Sequence, residues 1–333
     1  MPMKAFVTGL TGFVGPHLAR MLVGKECEVV GLGIRNENPE PLQSLPNGVS
    51  VTNTDIRDYT GLRAILQEVR PDHVYHLAAI SNVVTSFKDP RLTYDVNVGG
   101  TLNLFEALRE IDIKPRIVHV STAHVYRSIE TEEGLDECSP VRLLTPYATS
   151  KFMCEALATQ YFEAFGFQLM TVRPFNHVGP GQPTGFVCSD FARQIAAIKL
   201  GQAEPVLHVG NLAPVRDFTD VRDTVEAYWD VARKGVPGEV YNVSSQCPIS
   251  MQEIVSALCN LAGVQVRIEV DQEKLRPVET LRLFGDSSKV RALGWKPRIE
   301  LKQTLKDILD SWLAALATGG SSATIKLVGR VGC

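Results

Sequence analysis

The chain has 333 residues, about twice a common single domain, with 44% hydrophobic and 21% charged residues and a formal charge of −3 from 34 basic and 37 acidic side chains. That balance offers no clustered basic excess for nucleic acid, and no uncharged apolar run approaches the ~20 residues needed to cross a bilayer. The N-terminus enters a strand at Lys4–Val7 without the apolar stretch of a secretory signal, so a cytoplasmic protein with neither nucleic-acid nor membrane partners is expected.

Lys4–Val7 is a β-rich run that passes through Gly9-Leu10-Thr11-Gly12-Phe13-Val14-Gly15 into the helical pattern Leu18, Ala19, Met21, Leu22. Glycines three residues apart allow a tight turn and a close approach of backbone to a pyrophosphate. The N–H groups and dipole at the helix N-terminus then receive its charge. A strand, glycine turn and helix in this order predict a dinucleotide site at Gly9, Thr11, Gly12, Phe13, Val14 and Gly15. The second strand, Glu28–Leu32, runs into Gly33-Ile34-Arg35-Asn36 with no carboxylate at its tip for the ribose 2′-hydroxyl of NAD. Arg35 instead offers a planar cation to a 2′-phosphate, so NADP(H) is the expected cofactor, with NAD(H) accepted as well.

After the third strand, Asp55 and Ile56 are placed to flank an adenine. Leu62–Val69 is helical, and Asp72–Ala79 reads as a buried strand ending in Leu77-Ala78-Ala79, whose small residues let backbone pass close to the cofactor. His76 reads as a core histidine. Asn97–Ile111 is a helix and Arg116–Val120 a strand. This alternation predicts an α/β protein built on a doubly wound parallel sheet of the NAD(P)-binding Rossmann type.

Strand Arg116–Val120 leads to Ser121-Thr122, at the carboxyl edge where such sheets bind ligands. Downstream, Tyr147-Ala148-Thr149-Ser150-Lys151 sets a phenol and an ammonium one helical turn apart. The ammonium is expected to favour the phenolate and lower the tyrosine pKa, suiting it to pass a proton to or from a carbonyl or hydroxyl oxygen that the threonine also contacts. A long helix to Phe165 and a strand at Gln168–Arg173 follow, after which Pro and Gly become frequent. A smaller mixed α/β lobe for the substrate is expected over 173–209 and 244–317. Residues 1–172 with returns near 210–243 form the cofactor domain, and 318–333 a loose tail. The seven cysteines and seven histidines show no metal-ligand spacing, and the thiols are expected reduced.

The Gly-x-x-Gly-x-x-Gly turn, the Thr122 hydroxyl and Tyr147-x-x-x-Lys151, in this order, resemble the extended short-chain dehydrogenase/reductases from about Lys4 to Ala317. The resemblance implies Thr122, Tyr147 and Lys151 as the catalytic set. It adds Asn97, Phe175 and His177 to the cofactor contacts and implies a homodimer through the helices Asn97–Ile111 and Tyr147–Phe165. Arg173-Pro174-Phe175-Asn176-His177-Val178-Gly179-Pro180-Gly181-Gln182 resembles the family's junction of substrate and nicotinamide, and Val209-Gly210-Asn211, Arg216–Asp223 and Arg276-Pro277-Val278-Glu279 resemble the branch acting on GDP-linked hexoses. That branch implies Ser86, Thr122, Ala123, Asn176, Val187, Arg193, Leu207, Val209, Arg216, Arg276 and Glu279 as substrate contacts, with arginines on the diphosphate and Glu279 on the nucleotide ribose.

Three reactions of the branch compete. A 4,6-dehydratase needs a dedicated acid/base, which the branch supplies as a Glu two residues after the catalytic Thr; here His124 stands there. A C4-epimerase cycles its bound cofactor. A reductase needs only hydride to C4 and a proton from Tyr147. The segment Asn176–Asp223 resembles most the reductases of GDP-4-keto-6-deoxy-D-mannose that form GDP-D-rhamnose, so a GDP-linked 4-keto-6-deoxyhexose is the expected partner.

Overall fold

The computed structural model describes residues 2–34, 45–127, 133–275 and 280–317. Arg35, Arg276, Glu279 and the 318–333 tail lie outside the described residues. Strands β1 (Lys4–Thr8), β2 (Glu28–Gly33), β3 (Ser50–Asn53), β4 (His73–His76), β5 (Arg116–Val120), β6 (Gln168–Pro174) and β10 (Val240–Val243) form one sheet in the order β10-β6-β5-β4-β1-β2-β3. Every pairing in it is parallel. The strand order reverses direction at β1, where β2 lies on one side and β4 on the other. A doubly wound sheet binds ligands at that switch point.

Period-two alternation along the strands builds a core on each face. Ala5, Val7, Val29, Val118 and Met170 point to one face, where they meet Leu18 and Leu22 of α1 (Val14–Gly24). Phe6, Val74, Ile117 and Leu169 point to the other and meet Leu62 and Leu66 of α2 (Tyr59–Val69) and Leu104, Phe105 and Leu108 of α5 (Gly100–Glu110). Two short helices, α3 (Val83–Lys88) and α4 (Pro90–Tyr94), precede α5. The helix expected from Asn97 begins instead as a π-helical turn, Asp95–Gly99, which passes into α5. Helix α6 (Pro146–Phe165), capped by the Thr145 side chain and opened by Pro146, carries Ala158 and Tyr161 into the same core.

The remaining elements include β7 (Asn176–Val178), α7 (Val187–Lys199), β8 (Val206–Val209), β9 (Val215–Asp220), α8 (Val221–Lys234), β11 (Pro248–Ser250), α9 (Met251–Ala262), β12 (Arg267–Val270), β13 (Arg282–Leu283), α10 (Ser288–Ala292) and α11 (Leu301–Ala317). Strand β9 pairs with β7, β11 and β13 in a small mixed sheet, and β8 pairs with β12. Phe191 and Ile195 of α7, Leu258 of α9 and Ile308 of α11 close a separate core with Leu207 and Phe218. The return to the large sheet expected near 210–243 is therefore made by α8, which packs on the face of α1, and by β10. Residues 215–220 stay with the small sheet because both edges of β9 are taken there.

Candidate active site

The glycine turn closes over the switch point. Gly9 has φ +72°, and a Cβ there would stand 2.9 Å from the Ala78 nitrogen at the end of β4. Only glycine accepts that conformation and that approach. Gly12 is exposed at the mouth of the turn, and the first turn of α1 follows directly, with Phe13 at its N-cap. Leu77, Ala78 and Ala79 are half-buried at the carboxyl edge beside it. A cradle of exposed glycine, small side chains and a helix N-terminus fits a dinucleotide pyrophosphate. Thr11 donates to the Ile34 carbonyl at 3.4 Å, fixing the turn against the end of β2. The Phe13 ring stacks parallel on His177, centroids 6.1 Å apart, and His17 of α1 bonds the Pro180 carbonyl at 2.9 Å. These contacts tie the glycine turn to the Asn176–Gln182 junction.

Across the sheet edge, Thr122, Tyr147 and Lys151 come together, all nearly sealed from solvent. The Thr122 hydroxyl is hydrogen-bonded to the Tyr147 phenol and caps the turn Ala123–Val125 by accepting from the His124 N–H at 3.2 Å. Tyr147 and Lys151 share one face of α6, as the spacing requires. Their electrostatics reverse the expectation of a lowered phenol pKa. Burial outweighs the Thr122 hydrogen bond and pushes the Tyr147 phenol up to about 12, and burial pulls Lys151 below the ordinary lysine value. The physical reason is that both charged forms lose hydration together.

Asn97 builds the wall behind them. From the π-helical turn its side chain accepts from the Ile80 N–H at 2.7 Å and donates to the Ile80 carbonyl at 3.1 Å and the Ser150 hydroxyl at 2.8 Å. His76 is a core residue: Nδ1 pairs with the Thr8 hydroxyl at 2.7 Å and Nε2 with Thr101 at 2.9 Å.

Other sequence-derived candidates divide. Asp55 is held by the Arg57 guanidinium, at 2.7 and 3.1 Å, which keeps its carboxyl below the usual carboxylate range. Ala123 is buried, while Asn176 and Val187 are half-buried and Arg193 is exposed on α7. Buried Arg216 donates to the carbonyls of Val215 at 2.9 Å and Leu281 at 3.4 Å. Ser86 is fully buried and its hydroxyl donates to the Val83 carbonyl at 2.7 Å. The Phe175 ring stacks on Tyr126 at 6.1 Å and sits over Gly285. The side chains of Ile56, Leu207 and Val209 are buried. Each points into an apolar core, and on β8 the alternation leaves His208 on the outer face.

Sequence reasoning missed Ser121, Tyr126 and Glu155, and assigned no role to Arg173. Glu155 follows Lys151 at the same four-residue spacing that joins Lys151 to Tyr147, and Arg173 ends an otherwise apolar strand. Those two features were the available signals. Among the described residues, no group of three or more His, Cys, Asp or Glu side chains could hold a metal ion.

With the geometry in place, comparison with known proteins converges. The GDP-mannose 4,6 dehydratase family pattern matches residues 6–308. The chain is 35% identical over 314 residues to the GDP-6-deoxy-D-mannose reductase of Pseudomonas aeruginosa, covering 94% of this chain and 98% of that one. It is 32% identical over 321 residues to GDP-mannose 4,6 dehydratase 2 of Arabidopsis thaliana, covering 92% and 86%. The solved structure of RMD from Pseudomonas aeruginosa complexed with NADPH superposes with a TM-score of 0.81 at 34% identity, covering 94% and 99%. The chain belongs to the GDP-mannose 4,6-dehydratase family of extended short-chain dehydrogenase/reductases.

Proposed function

We propose that the protein reduces the C4 carbonyl of GDP-4-dehydro-6-deoxy-D-mannose to GDP-D-rhamnose, using NADPH in preference to NADH. The observation that carries this reading is the placing of Thr122, Tyr147 and Lys151 at the carboxyl edge of the sheet with the His124 ring, and no carboxylate, against the Tyr147 phenol. A reductase must deliver a proton to the alkoxide formed at C4, and a phenol with its pKa raised holds that proton at neutral pH. An enzyme that begins by oxidising a C4 hydroxyl needs the phenolate at the start of each cycle. The Thr122-Ala123-His124 sequence, without a carboxylate after the threonine, also favours reduction over elimination. The strong likeness to a GDP-6-deoxy-D-mannose reductase supports the sugar.

The glycine turn, the Leu77–Ala79 edge and the Phe13–His177 pair would hold the dinucleotide, with Arg35 on the 2′-phosphate. When bound, NADPH supplies the hydride. Thr122 orients the carbonyl oxygen by a hydrogen bond, Tyr147 donates its proton to that oxygen, and Lys151 stabilises the phenolate left behind. Asn97 fixes the helix that carries both groups. Asn176, Val187, Arg193, Arg276 and Glu279, on the smaller lobe of 173–209 and 244–317, would line the nucleotide-sugar side together with Arg216 of β9. Ser86 and Ala123 complete that set beside the catalytic hydroxyls. Among the described residues no helix is long and apolar enough to cross a membrane, and buried thiols at Cys154 and Cys188 suit a reducing cytoplasm. Exposed Leu102 on α5 and Met153 and Phe165 on α6 support a homodimer through these helices.

The test is cofactor stoichiometry. Purified protein mixed with NADPH and GDP-4-dehydro-6-deoxy-D-mannose is expected to consume one NADPH per sugar reduced. Sugar left unreduced, with no NADPH consumed, would overturn the reading.

A further inference from the structure

Behind the catalytic groups lies a buried polar chain that the mechanism above does not use. Tyr147, Lys151 and Glu155 stand at successive four-residue intervals on α6, so Glu155 continues the catalytic stripe one turn further. Its carboxylate accepts from Arg173 of β6, Nε at 3.0 and 3.2 Å and Nη2 at 2.6 Å, with both side chains at most 8% exposed. It also accepts from the Ser121 hydroxyl, the residue immediately before Thr122. Arg173 reaches on through Nη1 to the Tyr126 hydroxyl at 3.0 Å and the Glu137 carbonyl at 3.2 Å. Tyr126 donates to Asn242 at 2.7 Å, and its ring stacks on Phe175.

A buried ion pair is a poor source of stability. Desolvation of two charges offsets most of their attraction, and apolar replacements of like volume are often neutral or stabilising. What this pair does possess is reach: one carboxylate joins the helix bearing Tyr147 and Lys151, the strand end bearing Thr122, and the strand leading into Phe175 and Asn176. Resting on the reductase reading above, we propose that Glu155, held by Arg173, is a positioning residue that anchors Ser121 and so aims the Thr122 hydroxyl at the oxygen that Tyr147 protonates. It touches neither substrate nor cofactor and acts through Ser121.

Two variants of the full chain test this. Ser121→Ala removes only the link to Glu155. The double variant Glu155→Met with Arg173→Met replaces the pair by apolar groups without leaving a charge unpaired. Both are expected to fold with melting temperatures near that of the wild type, to bind NADPH as it does, and to keep KM for the sugar. Their kcat falls by about tenfold or more, because a small misplacement of a reacting group is costly. A substrate-free readout accompanies the kinetics: the phenol-carbon NMR signal of isotope-labelled Tyr147, assigned by its loss in Tyr147→Phe, is expected to shift in both variants as the Thr122 hydrogen bond is disturbed. A wild type that fails to reduce the sugar would overturn the reductase reading while a shifted Tyr147 signal still upheld the positioning role. Folded variants with an unmoved Tyr147 signal would overturn the positioning role whatever their activity.

Discussion

The imidazole of His124 meets the phenol of Tyr147 edge to face, with ring centroids 6.1 Å apart and planes at 67°. The histidine thus stands beside the proton donor, in the position where an eliminating relative would place a carboxylate. Reduction needs one proton donor, the role proposed above for Tyr147. Tyr147→Phe is therefore expected to lower kcat by about 100-fold or more, and His124→Ala by less than about tenfold. Steady-state NADPH oxidation measures both. A loss in His124→Ala as large as in Tyr147→Phe would show that the histidine also moves a proton.

The two leading glycines of the turn are predicted to fail differently. At Gly9 a side chain meets both a positive φ of +72° and the Ala78 backbone at 2.9 Å, so Gly9→Ala should destabilise the fold as well as abolish cofactor binding. At Gly12 the nearest atom to a new Cβ is the Gly9 carbonyl at 3.3 Å, so Gly12→Ala should fold normally and lose NADPH affinity alone. Thermal melting with NADPH fluorescence titration separates the two. Equal loss of stability in both variants would contradict this assignment.

Much of this was legible in the chain itself. β-rich runs with clear turn chemistry at their ends placed β1, β2, β5 and β6 almost to the residue. Thr122, Tyr147 and Lys151 could be singled out because the chemistry proposed for them requires those residue types at an edge and on one helical turn. The direction of the Tyr147 shift was not legible, since it depends on burial by groups distant in sequence. The Glu155–Arg173 pair was missed for a similar reason: 18 residues separate the partners, and nothing in the sequence joins one to the other.

Asn97 satisfies three polar groups at once, two on Ile80 and one on Ser150. Asn97→Ala takes the partner of the half-buried Ile80 N–H and carbonyl, while Ser150 keeps its bond to the Tyr147 carbonyl, and is expected to lower stability by about 1–2 kcal/mol. Because Ser150 adjoins Lys151, NADPH affinity should fall as well. Urea denaturation with a binding titration checks both, and an unchanged unfolding midpoint would count against the buried geometry.

Acid stability should depend on His76. Thr101 donates its hydroxyl proton to the Asn97 carbonyl at 2.6 Å, so it accepts from Nε2–H of His76, leaving Nδ1 to accept from Thr8. Burial holds this neutral imidazole at a pKa of about 3. The unfolded chain, with its histidine near ~6.5, binds more protons, so stability is complete above that pH and is lost as pH falls from there toward about 3. In His76→Gln the fall in unfolding free energy between neutral and acid pH should be shallower than in the wild type. Parallel curves would contradict the assignment.

The most direct test of the central claim follows the hydride itself. NADPH carrying deuterium at its transferable position is incubated with GDP-4-dehydro-6-deoxy-D-mannose, and the product is read by NMR. The expected product is GDP-D-rhamnose with deuterium at C4, one atom for each NADPH oxidised. Unlabelled sugar with no net oxidation of NADPH, or redox-neutral dehydration of GDP-mannose by the same protein, would contradict it.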